Sequence, residues 1–176
     1  MKKVLFFSLV FVFISCGVFT KITAVNKTLK VEFKGLAFIP YCGGMEPTKE
    51  QEKGTYEALS NEKYALFTVN DCQMRVKKKM VFALNELGTA AFSIEPGTYA
   101  LISTDKLLPL DELKKKYHIN DQLHYTNGSD ACFELWKSKN DLILNITKDT
   151  VINYVQKRKC WTGNNPCLEY TGPAAP

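Results

Sequence analysis

The chain predicts an all-β fold, a two-sheet β-sandwich of about seven to eight strands with one short surface helix. Three observations carry this expectation. Short runs of period-two alternation recur between Leu29 and Gln156, turn-forming residues separate them, and only one segment combines helical length with the charge order of a helix. At 176 residues the chain suits one domain with an ample core.

Leu29, Val31 and Phe33 alternate with Lys30, Glu32 and Lys34, as a strand buried on one face requires, and Gly35 loosens it before Leu36–Ile39. Pro40 to Asn61 reads as a long polar loop, with one helical turn at Thr48 to Lys53 where Thr48 and Gln51 can form a capping box. Lys63–Val69 and Gln73–Leu84 read as strands around the Asn70-Asp71 turn. Thr89–Ile94 and Thr98–Ser103 flank Pro96-Gly97 and form the firmest pair, a hairpin signal. Leu107 to Tyr117 is the helix, with Pro109 in its first turn, Asp111 and Glu112 early and Lys114 to Lys116 late. After the Asn127-Gly128 turn, Ala131, Phe133 and Leu135 alternate as a further strand, and Leu142–Ile146 with Thr150–Gln156 make a last hairpin across Lys148-Asp149. Residues 163–176, rich in proline and glycine, are expected to be irregular.

The N-terminus reads as an export signal: Lys2 and Lys3 precede an apolar run from Val4 to Ile14 that is too short to span a membrane. Phe13-Ile14-Ser15-Cys16 resembles a bacterial lipobox, which makes Cys16 the expected lipidated residue; cleavage near Ser15–Gly17 or Ala24 is the alternative, and would leave a secreted protein. Several acyl chains at about 0.8 kcal/mol per methylene would exceed what stable anchoring needs. No acidic residue follows in Gly17 to Lys21, so a periplasm-facing place on the outer membrane is the expected address. The organisation expected is a signal peptide at 1–15, an anchor linker at 16–27, the sandwich at 28–162 and a tail at 163–176.

The 23 basic and 18 acidic side chains become 21 and 18 once Lys2 and Lys3 are removed, a mild charge of about +3. The runs Lys77–Lys79, Lys114–Lys116 and Lys157–Lys159 lack interleaved aromatics, so they read as solvated faces and edge protection, and no nucleic-acid partner is expected. Beyond Cys16 stand Cys42, Cys72, Cys132, Cys160 and Cys167, which in an exported chain point to disulfides with one thiol left over. Cys72 is the candidate free thiol, since the other four lie beside strand ends or turn-rich segments. Pairing that is local where it can be would join Cys160 to Cys167 and Cys42 to Cys132, although the sequence leaves the connectivity open.

Gly88, Phe92, Ile94, Pro96, Gly97 and Tyr99 form G-x-x-x-F-x-I-x-P-G-x-Y, which resembles the signature of prealbumin-like (transthyretin-like, carboxypeptidase regulatory-like) domains, with Asn85 opening the preceding turn and Ala90 where an aromatic is usual. Tyr41-Cys42-Gly43-Gly44 with Pro47, and Cys160-Trp161 leading to Pro166-Cys167, Tyr170, Gly172-Pro173 and Pro176, are similar to a branch of uncharacterised bacterial envelope lipoproteins. The resemblance implies an Ig/prealbumin-like sandwich and an envelope address, without an activity.

Catalysis known in such folds finds little footing. The hydrolase branch's C-terminal Tyr-Arg-Gly-Ser is echoed only by Tyr170-Thr171-Gly172-Pro173, and His118 and His124 do not lie on early strands. Lys34 and Asn153 could stand where pilin-like relatives form an isopeptide, but Leu101-Ile102-Ser103 occupy the place of the assisting glutamate. The sequence reading is therefore a non-enzymatic, cofactor-free, lipid-anchored envelope module with a binding or structural role toward an unknown protein or carbohydrate. Tyr41, Trp161 and Tyr170 are its candidate binding-loop aromatics. The alternative is a soft-metal or redox-responsive protein using free cysteines.

Overall fold

In the computed structural model, which describes residues 27–44, 46–121 and 123–173, β1 (Leu29–Ile39) is the central strand of the first sheet. Cys16, the signal and the linker up to residue 26 lie outside the described residues, as do Met45, Gln122 and 174–176. β1 buries Leu29, Val31, Phe33, Gly35 and Ala37 on one face and leaves the intervening residues exposed, as its alternation predicts. Gly35 does not end the strand. It serves the close approach there, since a Cβ at Gly35 would meet the Leu84 side chain at 2.8 Å.

One side of β1 is shared by two antiparallel partners, β5 (Thr89–Ile94) along Leu29–Lys34 and β2 (Thr55–Ala58) along Leu36–Ile39. At the junction Gly35 N donates to Gly88 O at 2.8 Å and Leu59 N donates to Gly35 O at 3.1 Å. Gly88 adopts φ +70°, and a Cβ there would fall 2.5 Å from Gly35 O, so the signature glycine is required on both counts. On its other side β1 runs parallel to β9 (Thr150–Lys157), from Val31 opposite Thr150 to Phe38 opposite Lys157.

The second sheet has the order β4 (Arg75–Ala83), β3 (Lys63–Val69), β6 (Gly97–Ser103), β8 (Leu142–Ile146), with every pairing antiparallel. The β4 edge carries Lys77 to Lys79, consistent with edge protection. Between the sheets Phe33 lies at the centre of an aromatic cluster, 5.9 Å from Tyr64, 5.3 Å from Phe82 and 5.9 Å from Tyr154 between ring centroids. Around it Leu66, Leu84, Leu101 and Ile146 are buried.

Two expected hairpins are instead crossings between sheets. β5 lies in the first sheet and β6 in the second, and the same holds for β9 and β8. Period-two patterning identifies strands with one buried face, but a short turn between two of them serves a hairpin and an inter-sheet arch alike. Gly97 is the first residue of β6 and has no positive φ; its smallness accommodates the Tyr99 ring, whose hydroxyl donates to Glu95 O at 2.8 Å. Asn85 caps the turn before β5, with Oδ1 accepting from Leu87 N, Thr89 N and Thr89 Oγ1.

The segment between β6 and β8 departs furthest from expectation. A 3-10 turn, Thr104–Leu107, precedes α1 (Leu110–Tyr117), which begins after Pro109, three residues later than Leu107. Asp130–Ser138, expected as a strand, is a second helix, α2. Ser129 caps it by accepting from Cys132 N at 3.2 Å, Phe133 is buried, and Leu135, which the alternation would have placed inside, is exposed. The loop after β1 contains β2, and its 3-10 turn Gln51–Lys53 has the capping-box contacts Thr48 N to Gln51 Oε1 (2.8 Å) and Gln51 N to Thr48 Oγ1 (3.3 Å). The tail also contains a short strand, as β10 (Glu169–Tyr170) pairs with β7 (Tyr125–Thr126).

The disulfides differ from the local pairing. Cys42 joins Cys160 and Cys132 joins Cys167, while Cys72 is free and exposed on the β3–β4 turn. The parallel register brings Phe38 and Lys157 side by side, Arg158 N donates to Phe38 O at 2.9 Å, and the chains leaving β1 and β9 in one direction carry Cys42 and Cys160 together. The second bridge fastens α2 to the tail, where Leu113, Phe133 and Cys167 form a small core with Leu108, Leu110, Tyr117 and Trp136. Helices and tail make an annex at one end of the sandwich.

Non-reducing peptide mapping should recover Cys42–Cys160 and Cys132–Cys167, with Cys72 alone alkylated among these five. With sequence separations of 118 and 35, replacing each pair by serine is expected to lower unfolding free energy by about 5 and about 4 kcal/mol in the chain-entropy model, read from urea denaturation.

Candidate functional site

A cavity of about 460 Å³ opens where the annex meets the ends of β3, β6 and β9. Its walls include Tyr154 and Gln156 from β9, Glu62 before β3, Tyr117 from α1, Trp136 from α2, and the tail loop at Asn164–Pro166. The inward face of β9 supplies Ile152, Tyr154 and Gln156 in alternation, so the strand that closes the sheet also places a tyrosine and an amide inside the mouth.

The annex is held by charged groups with partners. Lys106, almost wholly buried, donates to Asp141 Oδ1 at 2.6 Å and Lys139 O at 2.8 Å, and its ammonium lies 5.0 Å from the Trp136 ring centroid. Asp141 Oδ2 accepts from Ser103 N at 2.6 Å. Asp105 receives Tyr117 Oη at 2.7 Å and Lys116 Nζ at 2.6 Å, and Asn165 ties the tail down by donating to Tyr117 O and accepting from Cys167 N.

Other polar groups at the cavity have no such partner. Gln156 Oε1 is buried without a hydrogen bond. Glu62 is half-buried, and its carboxylate has neither a hydrogen bond nor an ion pair among the described residues. Burial first, then the neighbouring carboxylates, holds the nearby phenols far above their ordinary range: Asp141 and Glu62 act on Tyr154, the bond to Asp105 acts on Tyr117, and Tyr154, Glu62 and Asp141 act on Tyr64. These tyrosines remain neutral hydroxyls rather than bases.

The residues singled out from sequence lie elsewhere. Tyr41 borders a separate cleft of about 390 Å³ beside Cys42. Trp161 and Tyr170 form an aromatic group with Tyr125 and His124, with Tyr170 5.2 Å from both Trp161 and Tyr125, and Tyr170 Oη donates to Pro173 O at 2.7 Å. That group fastens β10 and the tail to β7. Among the described residues no group of three or more His, Cys, Asp or Glu side chains could hold a metal ion, and four of the five cysteines beyond Cys16 are in disulfides, which removes them as soft-metal ligands. Lys34 and Asn153 are register neighbours on β1 and β9, but both are exposed and the buried glutamate's place in β6 is apolar. The sequence signal for the cavity was Gln156 at an inward strand position next to Tyr154.

No family model matches the chain, and no curated protein sequence does. Among solved structures, the Bacillus anthracis TIE protein is 13% identical over 73% of this chain and 17% of that one, with a TM-score of 0.33. GBS52, the minor pilin of Streptococcus agalactiae, is 11% identical over 75% of this chain and 45% of its own, at 0.34. The shaft pilin spaA from Lactobacillus rhamnosus GG is 8% identical over 74% and 50%, at 0.35. The chain thus spans half or less of each of these proteins. Overlaps this loose leave the fold to rest on the strand order above and the function on the site.

Replacing Asp141 by alanine strands the Lys106 charge in the interior and is expected to destabilise by about 3–5 kcal/mol; adding Lys106→Met should recover roughly 1–3 kcal/mol of that loss in a double-mutant cycle. Alkaline titration should show a second effect. Unfolded tyrosines ionise near pH 10, whereas Tyr64, Tyr117 and Tyr154 keep their protons longer when folded. Above that pH the unfolded chain binds fewer protons, so stability falls as pH rises. Tyrosinate absorbance should therefore contain a component that appears only together with loss of the circular-dichroism signal.

Proposed function

We propose that this chain is an exported, lipid-anchored cell-envelope module of the prealbumin-like class, whose task is binding rather than catalysis. The observation that carries the reading is the cavity between sandwich and annex, whose walls are fastened by the Cys132–Cys167 disulfide and the buried Lys106–Asp141 pair and which Glu62, Tyr117, Trp136 and Tyr154 line. Rigid walls with a few convergent polar groups are the general form of a small-molecule site. The disulfides support an oxidising compartment, and the Lys2–Ile14 run with Ser15-Cys16 supports export and anchoring on the outer membrane, facing the periplasm. Tyr41, Trp161 and Tyr170 then stand beside the disulfides as packing aromatics, and an extended partner would meet the loops around them.

Intact mass of the protein expressed in a bacterial host tests the anchor. A mature chain starting at Cys16 with attached diacylglycerol and a third acyl chain is the expected result, together with recovery in the membrane fraction, and Cys16→Ala should move it to the soluble envelope fraction. A plain peptide mass beginning at Val18 or Val25 would overturn the anchor and leave a secreted module.

A further inference from the structure

We propose that the free edge of β9 is a docking surface for a second copy of this chain, the two β9 strands pairing antiparallel about a two-fold axis at Asn153. This goes beyond the cavity reading above and does not depend on it. β9 borders the first sheet, hydrogen-bonded to β1 on one side and to no described strand on the other. Arg158 N donates to Phe38 O, and Phe38 stands opposite Lys157. In that parallel ladder the even-numbered residues of β9 therefore turn their backbone groups to β1, and Val151, Asn153, Val155 and Lys157 turn theirs outward.

The residues of β9 do little to blunt this edge. On the second sheet the edge strand β4 carries Lys77 to Lys79 and two breaks of register against β3, and on the first sheet β2 is four residues long. β9 has eight residues in unbroken register with β1, without proline or glycine, and its one charged residue is the last. The tail meets this side beyond the strand, where Lys159 N donates to Gly163 O at 3.3 Å, and the cavity of about 460 Å³ separates Tyr154 to Lys157 from the annex. The strand's side chains are incompletely covered on both faces. Val151 is 50% and Val155 43% exposed, while Ile152 and Tyr154 are only partly buried against the core.

The edge is complementary to itself in sequence. With the axis at Asn153, Val151 of one copy lies opposite Val155 of the other, Asn153 opposite Asn153, Ile152 opposite Tyr154 and Asp149 opposite Lys157. Apolar side chains thus meet on each face and opposite charges meet at each end. Lys157 has no ion pair among the described residues, and Asp149 uses one carboxylate oxygen to accept from Lys30 N at 2.9 Å, leaving the other. The next pair outward, Lys148 with Arg158, is like-charged, and Glu57 offsets it from 3.5 Å of Arg158. Moving the axis by one residue sets Val151 against Asn153 or Lys157 and loses the valine match. The pairs from Val151 to Val155 exchange about six backbone hydrogen bonds, and Val151 of the second copy extends the apolar row of Val155, Leu36 and Ala58. An edge contact is smaller than a standard interface of about 1,600 Å², so the dimer is weak in solution, with a dissociation constant between about 1 μM and 1 mM. The lipid anchoring proposed above would concentrate copies on one surface and favour it.

The test uses the Cys16→Ala chain with both disulfides intact and Cys72→Ser to remove the free thiol. In that background Asn153→Cys should be oxidised by air to a covalent dimer on non-reducing gels. Val151→Cys alone should not, whereas Val151→Cys mixed with Val155→Cys should give the mixed dimer. Sedimentation equilibrium should show a monomer–dimer equilibrium that Val155→Lys weakens at least about tenfold with the melting temperature unchanged, since a lysine there would face Val151. Lys157→Asp should weaken it about fivefold, and Asp149→Lys added to Lys157→Asp should restore it. A chain that stays monomeric at about 1 mM, equal cross-linking through positions 151 and 153, or a dimer that Val155→Lys leaves intact would each overturn the proposal. The mass and fractionation of the wild-type chain are read without these variants, so failure of the edge pairing and failure of the envelope module remain separable.

Discussion

The parallel pairing of β1 with β9 is the constraint on which the other features rest. It makes β1 a strand hydrogen-bonded on both sides, which suits its position under the central Phe33 cluster. It also sends the chain after β1 and the chain after β9 out of the same end of the sheet, so that the Cys42–Cys160 bridge is a consequence of register rather than of loop length. A parallel neighbour cannot be reached by a tight turn; here 110 residues of strand and annex separate the two, from Pro40 to Asp149. The second sheet and the two helices of the annex are therefore contained in the connection that the first sheet requires, and the tail after β9 returns to them through Cys132–Cys167.

Which parts of this were legible in the sequence follows from what each signal can report. Alternation at Leu29 to Phe33 and at Ile152 to Gln156 names the buried face of a strand, and both strands are where it placed them. Alternation is silent on partners. Pro96-Gly97 and Lys148-Asp149 each join strands of different sheets, and nothing local separates such an arch from a hairpin. The same blindness misplaced the cysteines: pairing by proximity in sequence ignores that Cys42 and Cys160 are made neighbours by a strand contact between residues more than a hundred apart.

Helix α2 was misread for a different reason. Ala131, Phe133 and Leu135 satisfy a period of two, while Cys132, Phe133 and Trp136 satisfy the helical period equally well over so short a segment. Ser129 followed by Asp130 was the deciding local signal, a capping residue and an acid in the first turn. The helix then gains its stability from the annex core and from Cys132–Cys167, neither of which is visible in a nine-residue window.

The cavity residues were legible only as an inconsistency. A sandwich strand whose inward positions read Ile152, Tyr154, Gln156 changes from apolar to polar toward its end, where a closed core would continue with an apolar side chain. The amide oxygen of Gln156 is enclosed there without a hydrogen-bond partner. The annex caps this end of the sandwich with helices held at Lys106–Asp141 and Cys132–Cys167 and leaves a cavity of about 460 Å³. Its acids act twice, binding the annex through Asp105 and Asp141 and, after burial itself, adding to the upward push on the Tyr117 and Tyr154 phenols. A site built this way sets neutral phenols and aromatic rings beside the Glu62 carboxylate on walls that the disulfide and the buried ion pair hold in place.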